Sequence, residues 1–135
     1  MEFRLRPEDD FILNADFSEI LELTYYWEVE INQILAETKF LKTIFEEFSK
    51  IGSSSLLIDE LTILIQKNEL LESRIKMVAS RIAMHIVHLE ELIEQVYIYG
   101  EQEFRMKHER LEKIYVGVVV YFKSNKKKFF NAISD

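Results

Sequence analysis

Apolar side chains recur in this chain at alternating steps of four and three residues. From Leu57 the walk visits Leu61, Leu64, Asn68, Leu71, Ile75, Val78, Ile82, His85, Leu89, Leu92, Val96 and Tyr99, and ten of the thirteen stops are aliphatic. Such steps average 3.5 residues, the repeat of a helix that packs along a seam. No Gly or Pro interrupts 57–99, so the pattern predicts one long helix on which the rest of the chain packs. Ile58, Ile65, Ala79, Ile86 and Ile93 broaden the seam. Ile63, Leu70, Met77, Met84 and Ile98 fall on another line at multiples of seven residues. At ~100° per residue that line is opposite the seam. A helix apolar on two sides has neighbours on two sides. It is therefore predicted to be central, between the other two helices or between its own chain and a partner.

The flanking segments carry the same rhythm. Asp16 with Glu19 three residues on is a capping-box pair, and Ile20, Trp27, Ile31, Ile34, Leu41, Phe45 and Phe48 follow on one face. A first helix is predicted from Asp16, closed by Gly52, with Ser53, Ser54 and Ser55 offering the next N-cap. Beyond Gly100 the steps continue two residues out of phase through Phe104, His108, Leu111, Tyr115, Val118, Phe122, Asn125 and Phe129. This predicts a third helix after a reversal around 99–103, fully buried over 114–122, where it is apolar nearly all round. Residues 1–15, with Phe3, Leu5, Pro7 and the cluster Phe11, Ile12 and Leu13, read as an extended arm. The predicted fold is all-α: an up-down-up antiparallel bundle of three long helices forming a single domain over 16–135, preceded by the arm. The central helix would be about 65 Å long, against a radius of gyration near ~14 Å for a compact domain of this size. A rod of three helices leaves apolar surface uncovered, so a twofold homodimer is expected.

Composition narrows the function. Three Gly and one Pro are too few for an all-β fold with many tight turns. With no Cys, disulfides, iron–sulfur ligation and thiol catalysis are excluded. A net charge of -7 disfavours nucleic acid as a partner, since affinity for phosphates comes from excess Lys and Arg. Residues 1–7 lack the apolar block of a secretion signal, and no apolar run approaches the ~20 residues of a membrane span. A cytoplasmic location is expected.

Few residues offer chemistry. His85, His88 and His108 lie on helical stretches. With a reversal at 100–101, His85 would face Tyr115, His88 would face Glu112 and His108 would face Leu92. No His has Glu three residues before it, as bundle di-iron sites require, and His-Glu-x-x-His is absent. A polar core layer is the expected role, and no cofactor is expected. Glu-x-x-Glu recurs at Glu19/Glu22, Glu69/Glu72, Glu91/Glu94 and Glu109/Glu112. That spacing puts both acids on one helix face, where they can hold a hard cation such as Mg²⁺ or simply pair with Lys and Arg. Glu69/Glu72 followed by Glu91/Glu94 resembles the metal-binding pattern of all-α nucleotide pyrophosphohydrolases of the MazG type. The last acid is Glu94 where that family has Asp. The resemblance implies a Mg-dependent enzyme using those four acids.

Other residues point to surfaces. Asn68 on the seam can bond Thr38 within the chain or meet its symmetry mate in a dimer. Tyr25 and Tyr26 lie off the apolar stripe and are types enriched at interfaces. Lys123, Lys126, Lys127 and Lys128 beside Phe129 and Phe130 form a basic patch that suits a helix C-terminus or an anionic membrane surface. Nucleophile constellations, Gly-rich phosphate loops and zinc spacings are missing. The expected function is therefore a non-enzymatic helical interaction or scaffold protein. It would act through apolar helix faces and self-associate, with a further protein partner open. The Mg-dependent enzyme is the first alternative, and a peripheral membrane protein docked through 126–130 the second. Membrane contact ranks last because four lysines at one end are marginal.

Overall fold

Asp16 starts the first helix by reciprocal capping. Its carboxylate accepts the Glu19 N–H at 2.9 Å, and the Glu19 side chain accepts the Asp16 N–H at 3.2 Å. Two orphan donors of the first turn are thereby satisfied. In the computed structural model, which describes residues 16–52, 54–94 and 101–134, this helix is α1 (Phe17–Lys50). Gly52 closes it with φ +77°, the left-handed conformation that glycine adopts without strain. Ser54 then caps α2 (Ser55–Ile93), its hydroxyl accepting the Leu57 N–H at 3.2 Å. The third helix, α3, spans Glu101–Ser134. All regular structure among the described residues is helical, and the predicted arm at 1–15 lies outside them.

The central helix is continuous for 39 residues, about 58 Å at ~1.5 Å per residue. It ends at Ile93, six residues before the predicted Tyr99. Periodicity alone does not mark this stop. Phe104 is buried against Leu89 and Ile20, and the chain must already have left α2 to bring it there.

The seam packs as its spacing predicts. Leu61, Leu71, Ile75, Val78, Ile82 and Leu89 are buried, with Ile31, Ile34 and Leu41 from α1 and Leu111, Phe122 and Phe129 from α3. Each full burial of such a side chain is worth about 1.5–3 kcal/mol. α2 packs against both neighbours, which touch each other far less. Polar groups on the seam bond across helices: Asn68 Nδ2–H donates to the Thr38 carbonyl at 2.8 Å, and Asn125 Nδ2–H to the Leu64 carbonyl at 3.4 Å.

Two expectations need correction. The second line is not buried: Leu70 is 72% exposed, Met84 61%, Ile63 55% and Met77 47%, and Ile63, Met77 and Met84 only line open grooves beside α3. Both neighbours share one broad stripe, so the chain's own helices do not sandwich α2. For the same reason 114–122 is not fully buried. Tyr115, Val118, Val119 and Phe122 face inward, while Ile114, Val116, Val120 and Tyr121 are exposed. In a three-helix packing each helix has both neighbours on one side, and its outer third faces solvent.

This one-sided packing sets up a paired test. Ile75→Ala is expected to lower the free energy of unfolding by about 2–5 kcal/mol. The nearby Leu70→Ala is expected to stay within ~0.5 kcal/mol at dilute protein concentration. Urea denaturation followed by circular dichroism measures both.

Candidate functional site

Two histidines in contact are buried at one end of the bundle. His85 lies on the seam of α2 and His108 on that of α3, and His85 Nε2 is 2.8 Å from His108 Nδ1. Aromatic rings enclose them. His108 stacks on Trp27 of α1 at 4.8 Å between centroids, His85 stacks on Phe104 at 4.5 Å, and Trp27 stacks in turn on Tyr115 at 5.0 Å. The Tyr115 hydroxyl donates to the Glu30 carboxylate, and burial together with that carboxylate raises the phenol's pKa.

This arrangement corrects the predicted pairing. His85 meets His108, seven residues before the expected Tyr115. α2 stops at Ile93 and α3 starts at Glu101, and the residue numbers of the observed pair sum to 193, seven less than the 200 of the expected pair. A shift of a few residues in the centre moves every cross-helix partner by twice as many.

Burial sets the protonation of the pair. Desolvation, then the neighbouring His88 and Lys107, push His85 down to about 4; desolvation, then His85 and Arg105, push His108 down to about 3. Both rings are neutral at pH 7, one donating and one accepting. His108 Nε2 is buried and has no hydrogen-bond partner among the described residues. Each ring commits to its partner the nitrogen with which it would approach a shared metal ion. No group of three or more His, Asp or Glu among the described residues is placed to hold a metal. The pair joins two helices.

The carboxylate pairs do not converge. Glu69 pairs with Lys42 of α1 at 3.6 Å, and Glu72 with Lys76 at 3.2 Å. Glu91 and Glu94 follow along the same helical segment 22 residues later, about 33 Å away. The four acids therefore do not form one site within the chain. His88 lines, together with His85, a shallow groove of about 390 Å³ between α2 and α3, with Arg81, Met84, Lys107 and Arg110.

The remaining candidates divide between core and surface. Asn68 is buried and bonded to Thr38, so it faces α1 and not a symmetry mate. Leu70, Met77 and Met84 are exposed in the single chain, as are Tyr25 and Tyr26. The Tyr25 hydroxyl donates to Glu90 at 2.5 Å, which raises its pKa. Of the basic patch, Lys126 pairs with Glu37, Phe129 is buried and Phe130 packs partly against the core. Lys123, Lys127 and Lys128 remain exposed. The histidine contact was not found from the sequence, although both residues stand on seam positions. No family model, curated protein or solved structure matches this chain.

The histidines make stability pH-dependent in a definite direction. Their folded pKa values lie below the ordinary 6.5, so the unfolded chain binds more protons between the two values. Their contribution is complete above 6.5 and is lost as pH falls toward 4 and then 3. The loss is on the order of 3 kcal/mol for His85 alone. Denaturation midpoints between pH 7.5 and 4 are expected to fall steeply. The double variant His85→Leu/His108→Phe is expected to flatten that part of the profile, and an unchanged slope would assign it to other groups.

Proposed function

We propose that this chain is a non-enzymatic helical interaction or scaffold protein, an up-down-up bundle that acts through an exposed apolar helix face and takes a second copy of itself as partner. The antiparallel course is supported by the bonds between helices. Thr38–Asn68 lies nearer the α1–α2 connection than Tyr25–Glu90 does, and His85–His108 nearer the α2–α3 connection than Leu64–Asn125. A cytoplasmic location belongs to the same proposal, since a chain without Cys needs no oxidising compartment.

One observation carries the functional reading. Ile63, Leu70, Met77 and Met84 form a line at seven-residue spacing on the outside of α2, each about half exposed or more. The line is about 31 Å long. Single exposed apolar residues are ordinary on a monomer, whereas an aligned set at heptad spacing is what a helix presents to another helix. Gln66, Ser73 and Ser80 run along one side of the line and Lys67, Arg74 and Arg81 along the other, so a second helix can approach closely on the serine side. Twofold pairing of this face would place eight such side chains out of water, four from each copy.

Sedimentation equilibrium over a range of concentrations tests this. The expected result is a dimer that dissociates on dilution. Leu70→Asp/Met77→Asp is expected to give a folded monomer, because neither residue is buried in the single chain. A wild-type monomer at high concentration would overturn the self-association reading.

A further inference from the structure

The charge of this protein is unevenly placed. Against a net charge of -7, α3 carries eight Lys and Arg and only four Glu, and all four precede Lys113. From Lys113 to the end of α3 no acidic residue occurs. α1 is the reverse, with seven Glu against three Lys.

The outward side of α3 combines this charge with apolar surface. Its middle exposes Ile114, Val116, Val120 and Tyr121, with Val120 at 60%. Arg110 and Lys113 are exposed on the N-terminal side of that stretch, and Lys123, Lys127 and Lys128 on the C-terminal side. The span from Arg110 to Lys127 is about 26 Å along the helix. Among the described residues none of these five cations is in an ion pair. Gly117 sits in the middle of the same face, and a Cβ added there would meet nothing within 4 Å. Packing inside the chain therefore does not account for the glycine.

We infer that the outward face of α3 docks on a lipid bilayer bearing anionic headgroups, with Ile114, Val116, Val120 and Tyr121 entering the interface and the cations on either side holding headgroup phosphates. An apolar strip flanked by long cationic side chains is what an interfacial helix presents, since lysine stems lie along the apolar boundary while their ammonium groups reach the headgroups. A tyrosine ring suits the same depth. No described helix is long and apolar enough to cross the bilayer, so the contact is peripheral. The acids of α1 do not prevent it. They belong to another helix of the bundle, and at physiological salt screening acts within about 8 Å, less than one helix diameter. A nucleic acid backbone would meet the cations and leave the apolar strip without a partner. Of the aromatics at 126–130, Phe129 is buried and Phe130 packs partly against the core; the outer face offers residues that do protrude.

The inference is independent of self-association, because a monomer that binds vesicles sustains it. The test is co-sedimentation of the full chain with phosphatidylcholine vesicles with or without about 30% phosphatidylserine. Retention is expected only with phosphatidylserine, and is expected to be abolished by ~0.5 M NaCl. Lys123→Gln/Lys127→Gln/Lys128→Gln is expected to weaken binding about a hundredfold. Val120→Ser/Tyr121→Ser should weaken it at unchanged charge. Gly117→Leu should strengthen it, whereas the same change would obstruct a closely packed protein helix. Absent or equal retention on the two vesicles would overturn the inference, as would full binding by the lysine variant. Loss of binding with Gly117→Leu, or indifference to Val120→Ser/Tyr121→Ser, would assign the face to a protein helix or to polyanions in general.

Discussion

Burial of one stripe of α2 is the constraint on which the rest of this structure depends. Leu61, Leu71, Ile75, Val78, Ile82 and Leu89 have almost no contact with solvent, and α1 and α3 are held mainly by packing against them. The flanking helices also meet each other directly, through Trp27 stacked on His108 and Tyr115 and through the Tyr115–Glu30 and Lys126–Glu37 pairs, but less extensively than either meets α2. The polar residues set within it fix how the helices are aligned. Asn68 reaches the backbone of α1, while Asn125 of α3 reaches the backbone of α2, and His85 and His108 join α2 to α3 at the other end. A buried hydrogen bond has a strict length, and sliding one helix by a turn would leave these groups unpaired at about 1–3 kcal/mol each.

The same constraint explains what is left over. Each helix turns one side inward, so apolar residues on the other side have no partner in the chain. On α2 these are Ile63, Leu70, Met77 and Met84, with Gln66, Ser73 and Ser80 along one side and Lys67, Arg74 and Arg81 along the other. On α3 they are β-branched residues and a tyrosine between cations. The two exposed strips arise from one geometry; under the readings proposed above, the first meets another helix and the second an anionic boundary. α1 carries neither feature to the same degree, and its excess of glutamate gives the molecule an electrostatic direction.

The helices were legible because their signals are local. The Asp16–Glu19 pair, Gly52 and Ser54 are short-range devices, and each is found in its expected role. The seam was legible because its period runs through eight turns without a breaker. What could not be read was which apolar residues lie outside the stripe. Leu70 and Leu71 are the same residue type at adjacent positions, and one is exposed while the other is buried. Two apolar lines on a helix show that both sides are greasy, but not that the chain has enough helices to cover both. The histidine pair failed for another reason. Placing His85 against His108 needs the end of α2 to within a residue or two, and the sequence carries no breaker near Ile93. The glutamate pattern carried a resemblance that the fold does not assemble, since all four acids lie along one helical segment.

The absence of native cysteine allows a direct measurement of the central claim. Single substitutions Leu70→Cys, Leu71→Cys, Met77→Cys and Val78→Cys can each be labelled with a maleimide at a dilution where copies of the chain do not associate. One-sided burial predicts labelling at 70 and 77 at the rate of a free thiol and strong protection at 71 and 78. Comparable rates at all four positions, or protection at 70 and 77 in the dilute monomer, would contradict it.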